Sequence, residues 1–173
     1  MGGMITLKGL TRKQTRRPFN ENSELGMKPA GSVVVLTLVF TFAMIAQTNG
    51  VATIESHHSV AASIDRLDSL ARARGMTVFS RIDFAADAAR VAMSLRPQQL
   101  IVFGNPRAGT PLMQASPVSG LDLPLKVLAW EDEQGKVWLS YNTPEYIKVR
   151  HRLSDELVKN IIGIKALVEK AAE

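Results

Sequence analysis

The chain has 173 residues, 46% of them hydrophobic and 21% charged, which is the balance of an ordinary folded core and a length for one domain rather than two. Of its net charge of +5, +4 lies in residues 1–52, where Lys8, Arg12, Lys13, Arg16, Arg17 and Lys28 outnumber Glu21 and Glu24; the remainder is nearly neutral and carries no DNA- or RNA-binding motif, so no nucleic-acid partner is expected. The absence of cysteine excludes disulfides, thiolate metal sites, a cysteine nucleophile and a lipoprotein anchor, without fixing the compartment.

The first feature along the chain is the 14-residue apolar run Val33–Ala46 (VVVLTLVFTFAMIA), preceded by Lys28 and followed by Gln47-Thr48-Asn49-Gly50. A spanning helix needs about 20 such residues and the apolar region of an export signal roughly 7–15. Residues 1–52 therefore read as an export leader, with a basic n-region and an apolar h-region at 33–46, and the protein as exported and periplasmic. The alternatives are an uncleaved membrane anchor at residues 33–46 and a buried core helix. Membrane contact is expected only through this leader.

Gly50-Val51-Ala52 offers a small-x-small cleavage pattern, which makes Thr53 the expected mature N-terminus and residues 53–173 a single domain. Thr15-Arg16-Arg17-Pro18-Phe19 resembles the twin-arginine export signature, although Asn20-Glu21 stand where an apolar residue and a lysine are usual. Met27-Lys28-Pro29-Ala30-Gly31-Ser32 and the apolar run form a complete secretion signal by themselves. Met27 thus competes with Met1 as the start.

Val51–Glu55 is short and β-branched, a first strand. Val60, Ile64, Leu67 and Ala71 fall on one face of an amphipathic helix, with Ser56 or Ser59 to cap it, Arg72 and Arg74 in its last turn, and Gly75 to stop it. Met76–Ile82 alternates as a half-buried strand. Asp83 then caps an alanine-rich helix, Ala85–Leu95, able to pack closely and ended by Pro97. Leu100–Phe103 is a continuous apolar strand, and Thr110-Pro111 reads as an N-cap followed by proline at the first helical position.

Leu125–Trp130 and Val137–Tyr141 flank a glycine-containing turn and form a hairpin. Pro144–His151 is a short helix. Ser154 caps a last helix, with Asp155 and Glu156 in its first turn where the dipole favours them. Leu157, Ile161, Ile164 and Val168 form its stripe, and Gly163 is its weak spot. Hairpins and crossovers together predict an α+β, two-layer sandwich: a curved, mixed or mainly antiparallel sheet of about five strands with helices on one face.

Several ordered blocks resemble the family called domain of unknown function 302. They are Gly75-Met76-Thr77-Val78-Phe79, Arg81-Ile82-Asp83, Leu95-Arg96-Pro97, Phe103-Gly104-Asn105-Pro106, Gly109-Thr110-Pro111-Leu112-Met113, Asp122-Leu123-Pro124-Leu125-Lys126, Trp130-Glu131-Asp132, Gly135-Lys136-Val137-Trp138 and Tyr141-Asn142, running from about Ser59 to Leu153. The resemblance implies a small two-layer α/β fold with a curved sheet, often dimeric, and no established activity. Members often carry histidine directly after the Arg-Ile-Asp block; here Phe84 stands there, which removes support for a metal or proton-transfer role at that position.

The stretch Ile101–Gln114 (IVFGNPRAGTPLMQ) is the most unusual in the chain. Three readings stand side by side. The loop is a turn that needs glycine for positive φ and proline for rigidity; or an apolar ligand site, since methionine adapts to irregular ligands; or an anion site in which Gly104, Gly109 and a helix N-terminus beside Arg107 present backbone N–H groups. Its spacing is neither a Walker loop nor GxGxxG. Trp130, Trp138 and Tyr141 on the hairpin either pack across strands or line a pocket or dimer interface.

His57-His58 lie on opposite faces of an extended segment, which is poor metal geometry, and His151 is far away in sequence. The serines lie in no GxSxG elbow. Glu131-Asp132 read as a solvated turn, and Asp122 and Lys126 as a local pair or cap. No catalytic residue, metal or cofactor is expected. The expected function is binding of a small apolar or amphipathic ligand, or a protein partner, by a homodimer. The candidate site lies between Gly104, Asn105, Pro106, Arg107, Gly109, Thr110 and Met113 on one side and Trp130, Trp138 and Tyr141 on the other. An enzyme of unrecognised mechanism and a purely structural dimer are the competing readings.

Overall fold

Period-two alternation along the hairpin strands and period-3.6 stripes on two helices decide how the layers stack. The computed structural model describes residues 50–173; the apolar run, both candidate starts and the twin-arginine-like segment lie outside the described residues. The elements are β1 (Val51–Ser56), α1 (Val60–Ala73), β2 (Thr77–Asp83), α2 (Phe84–Arg90), β3 (Gln98–Gly104), α3 (Pro106–Ala115), a 3-10 turn (Pro117–Leu121), β4 (Leu125–Glu131), β5 (Val137–Asn142), α4 (Pro144–His151), α5 (Asp155–Val158) and α6 (Ile164–Ala172). The strands form one five-stranded sheet in the order β1-β5-β4-β3-β2, with antiparallel pairing throughout.

Leu125, Val127 and Ala129 of β4 and Val137, Leu139 and Tyr141 of β5 face the covered side and are buried. Ile101 and Phe103 of β3 join them with no exposed surface. Helices α1 and α6 pack there, α1 across β3 and β4 and α6 against β1. The stripe of α1 is the expected one: Val60, Ile64, Leu67 and Ala71 are buried, and Ser59 caps the helix by accepting from the Ala62 N–H at 3.3 Å. Each fully buried Leu, Ile or Phe contributes roughly 1.5–3 kcal/mol. At the rim, Arg81 on β2 donates to Asp65 on α1 at 2.6 Å.

Gly50 is buried with φ +73°, and a Cβ there would fall 2.2 Å from the Tyr146 ring. Its carbonyl accepts from the Thr143 N–H at 2.7 Å, and Val51 and Ala52 pair with Asn142 and Tyr141. The sheet thus begins ahead of the 52/53 boundary.

Three expected elements take a different form. Helix α2 starts on Asp83 as expected but ends at Arg90 rather than Leu95, and none of its residues is buried. Alanine propensity alone does not carry the last turn: Ala92 adopts φ +58°, and Met93 N–H closes back onto Ala88 O. The last helix is broken into α5 and α6, with the chain turning through Lys159–Gly163 so that Val158, Ile161 and Ile164 all reach the core. Helix α3 starts four residues before Thr110, because Asn105-Pro106 carries the same cap-then-proline chemistry one turn earlier. Pro111 lies inside that helix.

A cleft under the third helix

Strand β3 ends on Gly104, and Asn105 turns the chain into α3. Helix α3, the loop Leu123–Leu125 leading into β4, Phe79 on β2 and Ile161 behind α5 together enclose a cleft of about 170 Å³. Its lining is mostly carbon: Met76, Phe79, Pro106, Met113, Leu123, Pro124 and Ile161. Phe79 and Met113 remain 52% and 37% exposed, so apolar side chains stand open at the mouth. Polar groups there come from Asn105, Thr110 and Asn160.

Of the residues singled out in the sequence, Gly104, Asn105, Pro106, Gly109, Thr110 and Met113 line this one cleft, and Arg107 does not. The glycines are there for a different reason from the expected one. Neither adopts positive φ. A Cβ on Gly104 would meet Pro124 at 3.4 Å, and one on Gly109 would meet the Met113 methyl at 3.9 Å. Their missing side chains leave the cleft its width.

The start of α3 offers no anion cradle. Pro106 has no N–H, the Arg107 N–H is bound by the Asn105 side chain at 2.9 Å, and the Ala108 and Gly109 N–H groups both bond the Asn105 carbonyl at 2.9 Å. All the donors a helix start would present to an anion are internally engaged.

The aromatic hairpin lies elsewhere. Trp130 and Trp138 are cross-strand partners on the face of the sheet away from the helices, with ring centroids 6.4 Å apart and planes inclined at 29°. Tyr141 points the other way, into the core, at 5% exposure. Burial, followed by the nearby Glu169 and Glu145 carboxylates, raises the Tyr141 hydroxyl pKa above the ordinary 10.0. No common site therefore forms between the loop and these three aromatics.

Asp132 holds the hairpin turn. Its carboxylate accepts from Trp138 Nε1 at 2.7 Å and from the Gln134 and Lys136 N–H groups at 2.9 Å each. The Trp138 hydrogen bond first, then those backbone bonds and the Lys136 charge, lower its pKa from 3.8.

Sequence reading missed one constellation. His151 at the end of α4 places Nε2 2.6 Å from Asp122 Oδ2, with both residues buried. Asn142 donates to Asp122 Oδ1 at 3.4 Å, and Arg150 Nε lies 3.5 Å from Oδ2. Asp122 and Lys126 do not pair with each other; the Lys126 ammonium donates to the Leu121 and Pro124 carbonyls at 3.2 Å. Ser119 is buried beside them on the 3-10 turn, but its hydroxyl has no hydrogen-bond partner. No histidine-activated nucleophile is formed there. The Asp122–His151 pair ties α4 to the loop that continues into the cleft wall at Leu123-Pro124. A separation of 29 positions and no motif connects the two residues in sequence.

Among the described residues, no group of three or more His, Asp or Glu is placed to hold a metal ion, and no helix is long and apolar enough to cross a membrane.

The sequence model of the family described as "Domain of unknown function DUF302" matches residues 52–171. A protein of Brucella suis biovar 1 named "Fluoride-specific ion channel FluC 1" is 47% identical over 120 residues, which are 69% of this chain and 46% of that protein. A Brucella abortus biovar 1 protein of the same name shows the same identity, with 43% of its length covered. The chain thus spans less than half the length of these curated relatives. Among solved structures, an uncharacterized conserved DUF302 protein from Bacillus stearothermophilus superposes with a TM-score of 0.60 at 14% identity, covering 72% of this chain and 96% of that one. The likeness extends to the fold.

Proposed function

The chain belongs to the DUF302 family, and from that premise we propose that it is an exported, non-enzymatic domain that works as a homodimer and holds a small amphipathic molecule in the cleft under α3. The observation that carries this reading is the open apolar cleft, walled by Phe79, Met113, Pro124 and Ile161 and kept wide by Gly104 and Gly109. Drug-sized ligands occupy pockets of roughly 300–1,000 Å³, whereas a cavity of about 150 Å³ lined by apolar side chains takes up benzene. At about 170 Å³, the cleft suits a single ring or a short branched chain, not a long acyl chain. Thr110 and Asn160 in its lining favour a ligand with one hydrogen-bonding group.

Calorimetric titration with phenol tests this directly. The wild-type protein is expected to bind it saturably, and Gly109→Leu, which fills the cleft from α3, to abolish the signal while the circular-dichroism spectrum is unchanged. Equal binding by both proteins would overturn the reading. Export is tested by fusing residues 1–60 or 27–60 to a reporter active only in the periplasm; activity from either fusion is expected, and none from both would refute it.

A second reading rests on the relatives named as fluoride channels. Their names place an aligned domain in proteins that conduct across a membrane, so this domain would act as an accessory at the surface of such a channel. Affinity purification from detergent-solubilised membranes, probed for a fluoride channel of the same cell, checks it. A channel recovered in stoichiometric amount is the expected result, and its absence counts against this reading.

A further inference from the structure

Helices α1 and α6 pack on one side of the sheet. The other face is formed by alternate residues of every strand. Register places Glu55, Trp138, Trp130 and Gln98 in one row, Thr53, Ser140, Leu128, Leu100 and Ile82 in the next, and Val51, Asn142, Lys126 and Val102 in a third. Leu100, Val102, Leu128, Trp130, Trp138 and Ile82 are only half-buried there, and Val51 is 46% exposed.

Both indoles, both hydroxyls and the lysine of this face are already engaged. Trp130 Nε1 donates to Ser140 Oγ at 2.9 Å, and that hydroxyl is bonded to Thr53 Oγ1 at 2.9 Å. Trp138 Nε1 is bound by Asp132, and the Lys126 ammonium by two backbone carbonyls. Covering the face would therefore strand few donors, which is the condition for burying a surface at low cost. The same bonds leave no indole N–H free for a polar ligand such as a sugar.

We propose that this open sheet face is where two copies of the chain meet. The inference rests on the homodimer reading above and locates its interface. Charge favours a second copy as the occupant: around the face stand Lys126, Lys136 and Arg96 against Glu55, Asp132 and Glu133. Both signs are interspersed, with Lys136–Glu55 at 3.1 Å and Arg96–Glu133 at 3.9 Å. A self-complementary surface needs that mixture, whereas a polyanion or an anionic lipid surface needs a basic excess.

Size agrees. Five strands about 4.8 Å apart, each six or seven residues long, give a face on the order of 500 Å² in projection. It is small for an obligate dimer, so association in the micromolar range is expected. Edge-to-edge pairing is the weaker alternative, because β2 carries a register shift between Val78 and Ser80 and the charged Arg81.

Both tryptophans of the chain lie on this face, so their emission reports its coverage without any mutation. Sedimentation velocity and tryptophan fluorescence would be followed together over roughly 1–100 µM, on the protein expressed from Met1 in the form that accumulates. A monomer-to-dimer transition with a parallel blue shift is expected, and Leu128→Lys should hold the protein monomeric with unchanged circular dichroism. If Leu128→Lys does not fold, the wild-type fluorescence decides. A dimer that forms with no change in emission, or that persists in folded Leu128→Lys, overturns this interface and leaves dimerisation standing. A wild-type protein that stays monomeric throughout overturns both.

Discussion

The two faces of the sheet are made by the same strands, one residue apart, and have opposite fates. On one side Ile101, Phe103, Val127, Ala129 and Leu139 have no exposed surface beneath α1 and α6. On the other Leu100, Leu128, Trp130 and Trp138 are half-buried, flanked by hydroxyls and carboxylates that satisfy the indole N–H groups. Apolar content alone does not distinguish them. The covered face is sealed within the chain, and the open face is finished with internal hydrogen bonds that make a later cover inexpensive.

That contrast is sharpest in stability. Phe103→Ala should cost about 3–5 kcal/mol in urea unfolding, since it empties a closed site, whereas Leu128→Ala on the open face should cost well under half as much at concentrations where the protein is monomeric. Equal losses would mean that the open face is already sealed in the monomer.

Next in size is the cap of α3. Asn105→Ala removes the side chain bound to the Arg107 N–H and should lower stability by about 1 kcal/mol. It also frees a backbone N–H beside the cleft, so weak anion binding absent from the wild type is expected by chloride or phosphate titration.

Gly109→Ala separates fold from site. Within a helix the replacement should stabilise the protein by roughly 0.5–1 kcal/mol, while its methyl group, 3.9 Å from Met113, narrows the cleft. Raised stability with weakened phenol binding is the expected pair, read by thermal melting and calorimetry.

The smallest effect belongs to the hairpin turn. Asp132 has its folded pKa lowered below 3.8 by the Trp138 hydrogen bond and the backbone donors behind it. A lowered carboxyl contributes stability that is present above the unfolded value and is lost as pH falls through the folded one. Trp138 emission should therefore change as pH drops below 3.8, and Asp132→Asn should remove that transition.

Local signals explain why much of this was legible in the sequence. The stripe Val60-Ile64-Leu67-Ala71 and the hairpin alternation are periodic, and Ser59, Asp83 and Ser154 cap helices where such side chains do. The start of α3 was misread because Asn105-Pro106 and Thr110-Pro111 carry the same chemistry five residues apart, and only packing chooses between them. The C-terminal stripe looked continuous because residues 157–168 keep their period, while the break at Lys159–Gly163 is imposed by Val158 and Ile161 both reaching the core. Six of the loop residues named as candidates line one cleft, whereas Trp130 and Trp138 lie on the face of the sheet away from the helices, since alternation gives two faces without saying which one the helices take. The Asp122–His151 contact depends on tertiary approach alone and left no trace in spacing.

The most direct test of the proposed ligand site is a phenol titration followed by backbone-amide NMR. Binding in the cleft predicts shifts confined to Gly104–Met113, Phe79, Leu125 and Ile161, saturating together, with both indole N–H signals unmoved. Shifts centred on the Trp130 and Trp138 indoles, or no saturable shift in the Gly104–Met113 segment, would contradict it.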